Sequence, residues 1–248
     1  MQTHKFYGGT ATIHFDEEKH QFFHYELQER IISVTSITGV IDKSRPLILW
    51  AVGLMKDFLV EVVESGKIVG IDHILEASKE HTKRKEKAAD IGTQIHDWIE
   101  AWIKDEKTEI PKDPKVRNGI TAFLEWINQE KLKLQHSEKV VYSKKYHYAG
   151  IMDAEGRKNG KLYVIDFKSS KRNKYNNTGF YNEQRYQIAG YRLAREEEMG
   201  KKYDGGILVR FDKEDGSFET LFIDQKEYEK DREAFLGALA IKNREKEL

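Results

Sequence analysis

The chain has 248 residues, no cysteine, 39% apolar and 34% charged residues, and 42 basic side chains balanced by 42 acidic ones. The missing cysteines exclude disulfides, thiolate zinc sites and iron-sulfur clusters, and zero net charge excludes the uniformly basic surface of a protein that coats nucleic acid. The longest apolar run, LILWAVGLM at 47–55, is less than half the roughly 20 residues that span a bilayer, so no membrane segment is expected; with no apolar stretch in the opening MQTHKFYGGT, an intracellular protein is expected.

Residues 10–35 read as short strands with a turn near Asp16 to Lys19. From Pro46 to Glu64 the pattern is helical and nearly all apolar, which predicts a helix buried on most sides. A long helical pattern covers Ile71 to Asp105: a charged segment, KEHTKRKEK at 79–87, precedes a stripe of Ile91, Ile95, Trp98, Ile99 and Trp102 that should face a core. Pro114 opens a further helix to Leu134 with Val116, Ile120, Phe123, Leu124 and Ile127 on one side. Strands resume from Lys139 to about Ser170. A helix over Tyr181 to Met199, two strands within 205–223 and a charged closing helix complete the chain. With no repeat and no low-complexity linker, this order predicts one domain with an α/β or α+β sheet and helices packed on it.

VIDFKSSK at 164–171 begins like a buried strand and ends with an acid and a base two residues apart, Asp166 and Lys168. Upstream, Asn159-Gly160 separates two strand-like runs and predicts a two-residue type I′ hairpin turn. Counting outward from that turn pairs Lys158 with Lys161 and Arg157 with Leu162, and brings Asp153 opposite Asp166. Like charges so placed are destabilising unless compensated, and period-two alternation sets Lys168 on the same face as Asp166. Two arrangements satisfy this: a solvated strand end neutralised by Lys168, or a hard-oxygen site for Mg²⁺ or Mn²⁺. A bulge in either strand would shift the facing by one residue.

Two helices carry polar stripes that could complete such a site. In GTQIHDWIE, Gly92, His96 and Glu100 share one face; in YNEQRYQIAGY, Gln184, Gln187 and Tyr191 do, and Gly190 permits close approach of another group. Between Glu138 and Lys174 ten basic residues outnumber four acids, a local excess that suits a polyanion.

Read together, GTQIHDWIE, AGIMDAEG, VIDFKSSK and QRYQIAGY resemble the ordered motifs of the PD-(D/E)XK nuclease superfamily, RecB-like branch. The upstream ISVTSITGVIDKSRPLILW is similar to a segment of phage exonucleases and of the mitochondrial genome maintenance exonuclease. The resemblance implies an α/β, restriction-endonuclease-like PD-(D/E)XK core with N-terminal strands and a helical insertion, here one nuclease domain over 1–248. In it, 1–90 would hold the N-terminal strands and an arch-like helical region over single-stranded DNA, and 91–248 the catalytic core. It implies Mg²⁺ or Mn²⁺ held by His96, Asp153, Asp166 and the Phe167 carbonyl, with Lys168, Asp153 and Asp166 catalytic. Gln187 and Tyr191 would contact DNA, and Gln184, Lys171 and Arg172 are added from their helix face and basic cluster. The implied activity is exonucleolytic hydrolysis of single-stranded DNA or DNA ends in replication, recombination or repair, and the phage likeness admits a phage gene in a bacterial host. A structure-specific endonuclease and a non-catalytic DNA-binding module of the same fold are the alternatives. Some relatives carry a four-cysteine iron-sulfur cluster, which this chain cannot bind.

Overall fold

Gln2–Phe6 (β1), Ala11–Asp16 (β2), Gln21–His24 (β3) and Glu29–Ser33 (β4) form an antiparallel meander in a computed structural model that describes residues 1–170 and 179–247. Alternation of buried and half-exposed residues along β2 gives the strand one core face, built from Ala11, Ile13 and Phe15. Ser33 caps the short helix α1 (Val34–Thr38) by accepting a hydrogen bond from the Ser36 N–H.

Three helices follow: α2 (Ser44–Glu64), α3 (Ile71–Ala77) and α4 (Glu80–Ile103). The single long helix expected over 71–105 is therefore broken. Ser78 turns its hydroxyl back onto the Leu75 carbonyl (2.7 Å), a local bond that competes with helix continuation. After α4, Asp113 accepts from the Lys115 and Val116 N–H groups and starts α5 (Pro114–Glu130), which ends at Lys131 in a left-handed conformation, φ 52°.

The strand cluster comprises β5 (Lys133–Gln135), β6 (Lys139–Ser143), β7 (Tyr148–Met152), β8 (Ala154–Lys158) and β9 (Lys161–Lys168). Then come α6 (Asn182–Met199), β10 (Gly205–Phe211), β11 (Phe218–Ile223) and α7 (Gln225–Glu247). One sheet has the order β1-β2-β3-β4-β7-β6 and the other β11-β10-β9-β8-β5. Both are mixed, since β4 pairs with β7 and β9 with β10 in parallel while their other pairings are antiparallel. The α/β architecture with mixed sheets flanked by helices is thus as expected.

The chain divides into two compact units, Met1–Ile41 with Ile95–Leu248, and Asp42–Gln94. The N-terminal strands, grouped with the helical region in the sequence reading, belong to the larger unit. In that unit Ile95, Trp98 and Ile99 are buried as the stripe predicted, alongside Val116, Ile120, Phe123 and Trp126 of α5. Trp102 is 38% exposed but sets its ring edge-on to Phe123. Val164 and Leu208 on one face of the five-stranded sheet join the cluster formed with α6 and α7.

The smaller unit overturns one expectation. Helix α2 has no buried residue, and Leu49 and Val52 are 65% and 59% exposed. An apolar run predicts burial only if something long enough packs on it, and α3 has seven residues.

Candidate metal centre

The turn at 159–160 is built as its sequence requires: Asn159 and Gly160 have φ of 52° and 78°, the two left-handed conformations of type I′. It sets Lys158 opposite Lys161 and Arg157 opposite Leu162, and the register holds to Ala154 opposite Ile165. The next step outward is Asp153 and Asp166.

Asp153 interrupts what would be a continuous strand, with β7 before it in the six-stranded sheet and β8 after it in the five-stranded one. The neighbouring chain makes the same transfer, from β5 to β6, across 136–138. Between the pairs Gln135–Glu155 and Lys139–Met152, three residues (136–138) face two (153 and 154). This is a one-residue bulge, and His136 and Glu138 in it have φ of 51° and 47°. The Glu138 N–H donates to the Asp153 carbonyl (3.0 Å), so the bulge delivers a second acid to the seam between the sheets. The β8–β9 register runs without the bulge weighed from the sequence; the bulge that the structure has lies on the β5–β6 side instead.

Helix α4 supplies His96, whose Nδ1 is 3.8 Å from Asp153 Oδ2. His96, Glu138 and Asp153 each offer a ligating atom, all within 4.8 Å of one another, the one such trio among the described residues. The Phe167 N–H donates to Asp153 Oδ2 at 2.6 Å. Lys168 Nζ lies 2.5 Å from Asp166 Oδ2, with the Asp166 side chain 1% and that of Lys168 22% exposed.

The electrostatics are those of acids gathered without enough positive charge. Burial, then Asp153 and Glu100, push Glu138 up to about 8. Burial pushes Asp166 up to about 6, with Lys168 opposing and Asp153 adding to the rise, and burial likewise raises Asp153. His96 is pushed down to about 4 by burial and by the Lys168 charge, while the Phe167 carbonyl favours its protonated form. Burial works against the charge on Lys168, but Asp166, Asp153 and Glu138 outweigh it, so its pKa is raised above the ordinary 10.5.

His96, Asp153, Asp166, Phe167 and Lys168 therefore come together from two elements, α4 and β9, and one strand junction. Glu138 was missed by sequence reading: it belongs to no spaced motif, and its one signal is an acid directly ahead of the apolar strand KVVYS. Tyr191 is buried at 4% exposure, with its phenol pushed well up by burial and then by Asp166, Asp153 and Glu138. It stands behind the acids, where a Cβ on Gly150 would come within 2.7 Å of its ring. Gln184 uses its side-chain carbonyl to accept the Tyr181 N–H (3.0 Å), closing the start of α6, and Gln187 Nε2 donates to Thr38 Oγ1 at 3.5 Å. Gly190 is approached by Phe235 of α7, with its carbonyl taking the Tyr148 hydroxyl at 2.7 Å. Lys171 and Arg172 lie outside the described residues.

No family profile matches the chain, and no curated protein matches it. Among solved structures, an alkaline exonuclease (LHK-Exo) from Laribacter hongkongensis aligns over 86% of this chain and 89% of its own, at 12% identity and a TM-score of 0.39. The protein SSO0001 aligns over 47% of this chain and 56% of its own, at 19% identity and a TM-score of 0.29. The chain thus spans little more than half of SSO0001. Overlaps this loose leave chemistry to be argued from side chains.

Proposed function

We propose that this protein is a divalent-metal-dependent nuclease that hydrolyses DNA phosphodiester bonds, acting as an exonuclease on single strands or free ends. The observation that carries this reading is the convergence of His96, Glu138 and Asp153 within 4.8 Å beside the buried Asp166–Lys168 pair. The donor set fits a metal: carboxylate oxygens with one imidazole nitrogen suit Mg²⁺ and, through His96, Mn²⁺. The raised Glu138 and Asp166 point the same way, since Lys168 compensates only part of the negative charge. His96, Glu138 and Asp153, with Asp166 and the Phe167 carbonyl beside them, would hold the ion. When bound, it supplies Lewis-acid polarisation of a phosphoryl oxygen.

The chain's own groups do the rest. Lys168, tethered to Asp166, offers a fixed ammonium to the negative charge that develops on the phosphoryl group. In the metal-free chain Asp166 and Asp153 hold its pKa above the ordinary value against burial, which supports the charge-stabilising role. The Phe167 N–H fixes one Asp153 oxygen, and the neutral His96 ring keeps a lone pair available near pH 7. Tyr191 supports the acids from the core side, so contact with DNA falls to more exposed groups, with Lys171 and Arg172 proposed for the phosphates.

The test is digestion of end-labelled linear and circular DNA with Mg²⁺, Mn²⁺ or chelator, comparing wild type with Lys168→Ala. Linear DNA should shorten from its ends and circles stay whole, with no cleavage in chelator or by the variant. Opened circles would indicate an endonuclease. Binding without cleavage in Mn²⁺ would indicate a non-catalytic module.

A further inference from the structure

At the carboxyl ends of β9 and β10, Lys168 and Arg210 are partners in the parallel register. In-register partners project to the same face of a sheet, so two cations stand side by side on the face that carries Asp166. The row continues to Glu219, which is opposite Arg210 in the antiparallel β10–β11 pair. One step back the row is Asp166, Leu208 and Leu221, and both leucines pack in the cluster formed with α6 and α7. Arg210 is 3% exposed, so its charge is held inside the protein.

Like charges on neighbouring strands are destabilising unless each finds a partner. Here they are parted. Lys168 leans back along its own strand to Asp166 Oδ2 (2.5 Å). The Arg210 guanidinium turns to other acids: Nη1 donates to Asp212 Oδ2 at 3.0 Å, and Nη2 lies 3.4 Å from Glu219 Oε2. The same Nη1 donates to the Ser170 carbonyl at 3.1 Å. The ladder between β9 and β10 ends at the Lys168–Arg210 pair, so this bond holds the strand ends together two residues past the last rung. One guanidinium thus serves an acceptor beyond β9, one beyond β10 and one on β11. A planar fork of donors can span all three, whereas a lysine ammonium is a point charge on a flexible stem. Removing the fork would release the chain that follows Lys168 and take from Asp212 and Glu219 the cation that keeps them from competing for the Lys168 ammonium.

We propose that Arg210 is a positioning residue for Lys168: it clamps the end of β9 to β10 and engages Asp212 and Glu219, which keeps the Lys168 ammonium on Asp166 beside His96, Glu138 and Asp153. In this role it touches neither the ion nor the substrate. The proposal rests on the nuclease reading.

A cycle over Arg210→Met, Lys168→Met and the double variant tests it, read as kcat and KM for end-labelled DNA in Mn²⁺. Far-UV circular dichroism checks the fold, and the melting-temperature shift on adding Mn²⁺ checks the metal centre. Arg210→Met should lower kcat by roughly 10- to 100-fold, as a small misplacement of a reacting group does, with KM and the Mn²⁺ shift unchanged. Once Lys168 is replaced by methionine, the same change should lower kcat by less than about twofold further, because residues that act as a unit are not additive. Arg210→Lys keeps the charge but not the fork; it should lower kcat in the same way, and it carries the cycle if Arg210→Met misfolds. Equal losses in both backgrounds, an unchanged kcat, or a loss confined to KM or to the Mn²⁺ shift overturns the proposal and leaves the nuclease reading standing. A folded wild type that cleaves no DNA overturns that reading and the proposal with it.

Discussion

The acid cluster of the larger unit and helix α2 of the smaller one depart from ordinary burial in opposite directions. At the seam between the sheets, carboxylates are taken out of water with too little positive charge nearby; along α2, leucines and valines are left in it. Desolvating an unpaired carboxylate costs several kcal/mol by the usual estimates, and exposing a stripe of aliphatic side chains forgoes roughly 1.5–3 kcal/mol for each one that could be buried. Both regions give up stability in isolation, and under the proposed function a bound cation would offset the first of these costs.

Removing the acids should break the first half of that comparison most sharply. Asp166→Ala is expected to abolish cleavage in an end-labelled DNA assay, because it takes away one carboxylate and the partner of Lys168. Next in size is Phe123→Ala. Its ring lies edge-on to Trp98, Phe167 and Phe211, so its loss should cost about 3–5 kcal/mol in urea unfolding and loosen the strand carrying Asp166. Lys168→Met should lower kcat by roughly 10²–10³-fold while leaving the melting-temperature shift on adding Mn²⁺, since the ligating trio is untouched.

A smaller effect lies in pH. Glu138 titrates near 8 in the folded metal-free chain against 4.5 for the ordinary carboxyl, so above 4.5 the unfolded state binds fewer protons and stability falls as pH rises toward 8. Asp166 acts likewise up to about 6, and His96, lowered from 6.5 to about 4, has the opposite slope between those values. From 6.5 to 8, therefore, the decline in chelator should report chiefly on Glu138, and Glu138→Gln should flatten it in pH-dependent thermal melts. The smallest expected change sharpens the second half: Ile68→Ser, at a residue 92% exposed, should alter unfolding free energy by less than about 0.5 kcal/mol. A large loss there would mean that the smaller unit is covered in solution.

The hairpin was legible because Asn159-Gly160 carries its own backbone preference and the strand period then fixes every facing pair out to the acids. His96 was legible as a neighbour of an apolar stripe. Glu138 was not, because its place depends on a bulge formed by two strands passing between sheets, a property of pairing that no local pattern encodes. The burial of α2 was misjudged for a related reason: an apolar run states a demand for cover, but only the assembled neighbours decide whether it is met. Gln184, Gln187 and Tyr191 share a face as the helical period requires, yet one closes a helix, one reaches Thr38 and one sits in the core.

By itself, then, the sequence determined the elements, the I′ turn with its register, and the chemical character of Asp153, Asp166, Lys168 and His96. These follow from dihedral preference and periodicity, which act over a few residues. Tertiary structure decided which acids share a site, how Lys168 keeps its proton and which apolar face remains uncovered. Those depend on desolvation and on charges brought close from distant parts of the chain, and such interactions exist only once the sheets are assembled.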